Sequence, residues 1–164
     1  MTAAKKLDLI SVEDYLAGEL VSPRKHEYLG GVIHAMAGCL NPHGQIATNT
    51  VISLGSRLRG HRCQVFSSDT KIRIRLHQVR FYYPDGSVVC RLNPNTDSFQ
   101  DEPVVIVEVF SRSTRRIDQG EKKDAYLTIP SLCVYIMIEQ ETVGAIVHRP
   151  KFPCTARDSG SVLS

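Results

Sequence analysis

The segment Pro103-Val-Val-Ile-Val-Glu-Val-Phe110 decides the fold, because every residue in it except Glu108 is apolar. Such a run predicts a strand that is covered on both faces, as in the interior of an α/β sheet. An ionised carboxylate at Glu108 is costly to bury unless a cation or hydrogen-bond donors compensate it. Alternatively, Glu108 pairs with an arginine or lies close enough to the strand end to reach solvent.

A helix is predicted directly after this strand, over residues 118–129. Asp118 stands at its N-cap with Glu121 at the third position, and Pro130 closes it. Helical spacing places four residues on the face toward the sheet: Lys122, Ala125, Tyr126 and Ile129. A lysine on such a face is unusual, and its alternatives are an ion pair with Asp118 or extension to the helix edge.

Before the central strand, the residues Lys71 to Leu76 alternate strictly between basic and apolar. This pattern predicts a half-buried strand whose outer face carries Lys71, Arg73 and Arg75. A further strand is predicted over residues 82–90. It contains Asp85 within Pro84-Asp-Gly86, which is also a good turn signal.

The remaining elements complete an α/β pattern. Ser11 caps a helix through Leu20, Gly30-Gly31 turns a hairpin, and a second helix spans His43 to Arg59. A polar loop, residues 91–102, precedes the central strand, and two more strands follow the last helix at 132–138 and 143–148. We therefore predict one domain over residues 1–149 and an irregular tail over 150–164.

The composition is that of an ordinary globular protein, with 42% hydrophobic and 23% charged residues and a formal net charge of +3. No segment is long and apolar enough for a membrane span, and the N-terminus lacks the apolar region of a secretory signal. We therefore expect a cytoplasmic location. The five cysteines show no metal-binding spacing, and we expect buried reduced thiols.

Asp85, Glu108 and Lys122 together suggest a reaction. If the strands of Asp85 and Glu108 pair, two hard oxygen ligands converge, which favours Mg²⁺ or, in its place, Mn²⁺. An inward lysine would hold the attacking water and offset negative charge in phosphodiester hydrolysis. Nucleic-acid backbone contacts would come from five basic residues: Lys71, Arg73, Arg75, Arg112 and Arg115.

Several short segments resemble the Uma-type family of restriction endonucleases, within the PD-(D/E)XK nuclease superfamily. They are Glu27-Tyr-Leu-Gly-Gly31, Ser68-Asp-Thr-Lys-Ile72, Tyr83-Pro-Asp-Gly-Ser-Val-Val89, Val107-Glu-Val-Phe-Ser-Arg-Ser-Thr114, Asp118-Gln-Gly-Glu-Lys122 and residues 126–135. The resemblance covers about residues 10–149. It implies a restriction-endonuclease-like core, a mixed β-sheet flanked by helices.

The resemblance also implies roles for individual residues. Asp85 matches the aspartate of the Pro-Asp motif and Glu108 the acidic residue of the (D/E)XK strand. The position two residues further is Phe110, and the family's lysine is matched by Lys122 on the following helix. Glu27 matches an acidic position that joins the site through the metal or its water.

The leading hypothesis is therefore Mg²⁺-dependent hydrolysis of DNA. Asp85 and Glu108 would bind the ion with the carbonyl of Val109, Lys122 would act on the water, and Glu27 would complete the site. Restriction-type nucleases often dimerise, so we expect a homodimer. Two alternatives remain open: a DNA-binding module that retains the site without turnover, and a structural protein that dimerises through a sheet edge.

Overall fold

The computed structural model describes residues 9–111 and 118–154, whose strands form two five-stranded sheets. The helices are α1 (Val12–Val21), α2 (Asn41–Arg57) and a π-helical turn (Asp118–Lys122) that continues into α3 (Lys123–Tyr126). The strands are β1 (His26–Leu29), β2 (Val32–Ala35), β3 (Gln64–Ser67), β4 (Lys71–Ile74), β5 (Arg80–Tyr82), β6 (Gly86–Val89), β7 (Phe99–Gln100), β8 (Pro103–Phe110), β9 (Val134–Glu139) and β10 (Ala145–His148).

Both sheets are mixed. The first has the order β2-β1-β5-β4-β7 and the second β10-β9-β8-β6-β3, so the apolar strand β8 lies at the centre of its sheet. β8 and β9 are parallel, and the chain between them contains α3, as a crossover between parallel neighbours requires. The predicted α/β class is confirmed.

The local signals near the N-terminus are confirmed. The Ser11 hydroxyl accepts a hydrogen bond of 3.0 Å from the amide of Asp14, which caps α1. Gly30 and Gly31 adopt φ angles of +57° and +103°, a conformation that side chains disfavour, and join β1 to β2 as a hairpin.

The second helix, α2, begins and ends close to its predicted bounds. It packs against β3, β6 and β8, yet no residue of it is fully buried. Among the described residues, no helix has the length and apolar character needed to cross a membrane.

Two clusters of buried side chains form the core. Tyr82, on one face of β5, belongs to the larger cluster with Ile72, Ile74, Ile106, Phe110, Ala125, Tyr126, Ile129, Leu132, Tyr135 and Met137. Phe81 points the opposite way and packs with Tyr15, Tyr28 and Phe99 beneath α1. The alternation of Phe81 and Tyr82 shows that the first sheet is covered on both faces.

The predicted single strand over residues 82–90 is wrong. The structure splits it into β5 and β6, which belong to different sheets. Pro84 has no amide hydrogen to donate to a ladder and restricts the backbone, so strand pairing stops there. Tyr83-Pro84-Asp85 therefore crosses from one sheet to the other.

The expectation of reduced thiols is wrong for four cysteines. Cys63 and Cys90 form one disulfide and Cys133 and Cys154 another, while Cys39 is exposed and not bridged. Cys63 and Cys90 continue the antiparallel register of β3 and β6 and so face each other, a long-range relation that cysteine spacing does not reveal. Disulfides persist mainly in oxidising environments. The structure does not test the predicted cytoplasmic location, which stays a prediction.

Removing the Cys63–Cys90 bridge should lower thermal stability markedly. The bridge joins residues 27 positions apart. Loss of such a cross-link costs about 3 kcal/mol, or roughly 6–12 °C in Tm for a chain of this length. The test is thermal unfolding of Cys63→Ser/Cys90→Ser in a Cys39→Ala background. An unchanged Tm, or five titratable thiols in the denatured unreduced parent, would contradict the pairing.

The prediction that Lys71 lies on a solvent-facing surface is wrong. Lys71 is only 4% exposed, and its ammonium lies 5.3 Å from the centre of the Tyr83 ring. Among the described residues no carboxylate lies within 4.0 Å of it, and burial lowers the pKa of this ammonium. The alternation of basic and apolar residues did not identify a solvent-facing side of β4, because both faces of the first sheet are covered.

Replacing Lys71 with methionine should stabilise the protein, because methionine keeps the length of the side chain without a charge to desolvate. We expect Tm to rise by roughly 2–4 °C at pH 7, about 1 kcal/mol for this chain length. Consider pH values between the lowered pKa of Lys71 in the folded protein and its value near 10.5 in the unfolded chain. In this range the unfolded parent binds more protons than the folded parent. The parent therefore gains stability as pH rises through this window, and the advantage of Lys71→Met should shrink.

The matched control for this variant is Arg75→Met, since the Arg75 side chain is 70% exposed. It should change Tm little, because exposed ion pairs contribute little stability. A lower Tm for Lys71→Met at pH 7 would contradict the view that desolvation of the buried Lys71 charge outweighs its contacts with Tyr83 and the nearby charge of Glu19.

The helix predicted over residues 118–129 is shorter and begins differently. Its four inward residues are buried as expected, but its first turn is π-helical and α3 ends at Tyr126. The proposed cap by the Asp118 side chain lies outside the described residues. After β10, the chain shows no helix or strand through Cys154, and the division into domain and tail stays a prediction.

Candidate active site

The strand register brings Asp85 and Glu108 together. β6 and β8 are antiparallel with Gly86 opposite Val107, so the next pair in the register is Asp85 and Glu108. Directly opposed residues project from the same face of a sheet and are close enough to interact. The two carboxylates therefore lie on the same side of the sheet and line the same cleft, at the point where the chain enters β6.

Two contacts hold the Asp85 carboxylate. The amide of Val109 donates to Oδ2 at 2.7 Å, and Nε2 of His43 lies 2.9 Å from Oδ1. A carboxylate can only accept, so the His43 nitrogen donates. Each oxygen of the Asp85 carboxylate thus accepts one hydrogen bond. Asp85 is therefore held in place and is not an unconstrained turn residue.

Glu108 is buried at 5% exposure, and two side chains compensate it. The Tyr126 hydroxyl donates to its Oε1 at 3.0 Å, and the Lys122 ammonium lies 3.6 Å from the same oxygen. Burial, followed by the Glu108 charge, raises the pKa of Tyr126 well above its usual value, so the hydroxyl remains a donor. The central strand can therefore keep an acidic side chain in an apolar environment.

Lys122 is the cation at the centre of these acids. Its ammonium is 2.7 Å from Glu27 Oε1 and lies over the Tyr82 ring at 5.4 Å. It is buried, whereas the neighbouring Lys123 extends outward to Asp124. Lys122 ends the π-helical turn, a type of irregularity that often occurs at functional sites.

Glu27 reaches the site from the other sheet. It lies on β1, and its side chain is 15% exposed. The sequence predicted that it joins through a metal or its water, while the structure shows direct contact with Lys122. The site is thus built across both sheets.

These groups line an open cleft of about 620 Å³, a size typical of ligand sites. The cleft is lined by Glu27, His34, Ala35, Met36, Ala37, Gly38, Cys39, Leu40, His43, Tyr83, Asp85, Glu108, Val109, Ser111, Lys122, Gln140 and Glu141. Acidic side chains outnumber basic ones there, which favours a cation.

The oxygen donors of the cleft suit a Mg²⁺ ion that keeps part of its water shell. Among the described residues, no three His, Cys, Asp or Glu side chains are arranged as a ready-made metal site. Asp85, Glu108 and Val109 line the cleft and could offer two carboxylates and a backbone carbonyl as hard oxygen donors. Mg²⁺ commonly binds through one or two carboxylates and keeps several waters, so a full protein cage is not needed.

The predicted basic contacts lie elsewhere or outside the described residues. Arg73 forms a double hydrogen bond with Asp101 at 2.6 and 2.7 Å, and Arg75 joins it at 3.1 Å. Neither these arginines nor Lys71 is among the described residues that line the cleft. Arg112 and Arg115 lie outside the described residues.

His43 and the Tyr126 hydroxyl are site features that the sequence did not reveal. From the sequence, His43 is the first residue of a predicted helix, and Tyr126 is a packing residue on the inward face of another. Asn41-Pro42 does place His43 in the first turn of α2, but its partner Asp85 is 42 residues away. Only the tertiary structure joins them.

Comparison with known sequences places the chain in a family. The sequence profile of the Uma2 family, described as "Putative restriction endonuclease", matches residues 12–159. The uncharacterized protein slr1290 of Synechocystis sp. is 33% identical over 135 residues, covering 82% of this chain and 70% of that protein. A second uncharacterized Synechocystis protein, sll1609, is 29% identical over 135 residues, covering 80% and 76%.

A solved structure has the same fold. It is described as a putative nuclease belonging to DUF820 from Anabaena variabilis and matches with a TM-score of 0.67. The match covers 87% of this chain and 81% of that chain, at 17% sequence identity. At this identity the likeness is one of fold, and it confirms the nuclease-type architecture expected from the sequence.

Proposed function

From its membership of the Uma2 family, to which this chain belongs, and from the geometry of its cleft, we propose that the protein is a Mg²⁺-dependent nuclease that hydrolyses DNA phosphodiester bonds. One observation carries the proposal. Asp85, directly before β6, and Glu108, on the neighbouring strand β8, line the same cleft, and the Lys122 ammonium lies between Glu108 and Glu27.

The charge balance of the cleft supports a divalent cation. Among the described residues that line the cleft, four carboxylates, on Glu27, Asp85, Glu108 and Glu141, and one ammonium, on Lys122, give a formal charge of −3. A polyanionic strand would be repelled from such a site, and a divalent cation lowers this barrier. When bound, the cation neutralises charge at the scissile phosphate and makes a water more acidic.

The chain's own residues then have distinct tasks. Asp85, Glu108 and the Val109 carbonyl would hold the ion. Lys122 donates a hydrogen bond to the attacking water and offsets negative charge as it develops on the phosphate. Glu27 orients the Lys122 ammonium, and Tyr126 fixes one oxygen of Glu108.

Fewer residues are proposed to contact the DNA backbone than the sequence suggested. Lys71 is buried and Arg73 is paired with Asp101, so the proposal keeps the exposed Arg75. It also keeps Arg112 and Arg115, which follow the cleft residue Ser111 in the chain. A homodimer, which would let two sites act on two strands, is proposed as well and is tested by sedimentation.

The direct test is nicking of supercoiled plasmid DNA with Mg²⁺, and with EDTA as control. We expect Mg²⁺-dependent nicking, and a rise in Tm with Mg²⁺ because the ion binds the native state. DNA binding without cleavage in Mg²⁺ or Mn²⁺ would replace this proposal with a silent binding module. No binding and no rise in Tm would exclude both.

A further inference from the structure

His43 has an unusual position for a histidine on an exposed helix. α2 has no fully buried residue, yet the His43 side chain is only 21% exposed and turns inward from the first turn of the helix. Its Nε2 donates to Asp85 Oδ1 at 2.9 Å. The contact links α2 to the segment that crosses between the two sheets.

Asp85 needs such a contact to be held in one orientation. It lies between β5 and β6, before the strand ladder resumes at Gly86. The Val109 amide fixes only Oδ2, and a carboxylate held at one oxygen can still rotate. The His43 donor on Oδ1 fixes the plane of the group and leaves the remaining lone pairs for a ligand in the cleft.

We propose that His43 is a positioning residue that sets the orientation of the Asp85 carboxylate and thereby the affinity of the cleft for a divalent cation. The inference rests on the proposed function, because it takes Asp85 as a ligand of the ion. Hydrogen-bond partners behind metal ligands typically contribute 10- to 100-fold in metal affinity. His43 touches neither the DNA nor the reacting atoms in this scheme.

Two substitutions separate the hydrogen bond from the imidazole ring. His43→Gln keeps an N–H donor at a similar distance from the backbone, whereas His43→Leu fills the space without a donor. His61→Leu is the matched control, since His61 is an exposed histidine just beyond the other end of α2. Because the His43 side chain is partly exposed, all three variants should fold, which Tm without metal verifies.

The experiment measures Mn²⁺ binding to the full chain by the loss of the free-ion EPR signal, without DNA. We expect His43→Leu to weaken Mn²⁺ binding roughly 10- to 100-fold, with His43→Gln and His61→Leu close to the parent. In cleavage assays, His43→Leu should require more Mn²⁺ for half-maximal rate but approach the parental rate at saturating Mn²⁺.

Each other outcome overturns the inference. Equal Mn²⁺ affinity in His43→Leu and the parent means that Asp85 does not need this donor. Equal weakening in His43→Gln and His43→Leu means that the ring itself is required, as it is for a direct ligand. If the parent neither binds Mn²⁺ nor cleaves DNA, the proposed function fails first; a parent that binds and cleaves isolates the failure to His43.

Discussion

Lys122→Met should reduce DNA cleavage by about 100- to 1,000-fold, the usual cost of losing one donor aimed at developing negative charge. Methionine preserves the buried volume, so the loss comes from the ammonium. The site would then keep its three carboxylates without the Lys122 ammonium, so divalent-ion binding should persist. The measurement is the single-turnover rate of plasmid nicking at saturating Mg²⁺.

The same variant should be less stable without metal, because Glu27 and Glu108 would lose a buried ion-pair partner. Mg²⁺ should restore part of the lost Tm. Lys123→Met provides a close control: Lys123 is adjacent in sequence, and its partner is the exposed Asp124. If Lys122→Met cleaved at the parental rate, the assignment of Lys122 to catalysis would be wrong.

Glu108→Gln should have a still larger effect, lowering cleavage by about 1,000-fold or more and removing the rise in Tm with Mg²⁺. A neutral amide oxygen attracts a hard cation less strongly than a carboxylate does. Metal assistance is worth several kcal/mol, at about 1.4 kcal/mol per tenfold in rate. Glutamine keeps the shape, and the Tyr126 hydroxyl still has a carbonyl to donate to. The apo protein should therefore fold.

Glu121→Gln is the control for this experiment, since the Glu121 side chain is 53% exposed and pairs with Arg80 outside the cleft. It should leave cleavage and Mg²⁺ stabilisation unchanged. Parental cleavage by Glu108→Gln would remove the central carboxylate from the mechanism and, with it, the proposed metal site.

The sequence is sufficient for features set by local periodicity. The apolar run 103–110 is typical of a central strand, and Glu108 is conspicuous within it because burial of a charge is costly. Lys122 falls on the same helical face as Ala125, Tyr126 and Ile129, and all four are buried. Even the π-helical first turn did not move Lys122 off this face.

Features that depend on distant contacts could not be predicted. Nothing local to residues 82–90 shows that Pro84 separates two sheets rather than marking a turn. The burial of Lys71 depends on Tyr83, and the role of His43 depends on Asp85, 42 residues further along the chain. The disulfides likewise follow from strand register and chain path rather than from cysteine spacing.

Because the chain crosses between the sheets at Tyr83-Pro84-Asp85, the proposed site is complete only when both sheets have formed. Glu27 belongs to the first sheet, Glu108 to the second, and Lys122 to the crossover that follows β8. All these contacts are long-range in sequence, and folds that depend on such contacts form slowly. A chain emerging from the ribosome therefore has no assembled site until residue 122 has been made and both sheets have closed around it. Local opening of either sheet would likewise take the proposed site apart well before global unfolding.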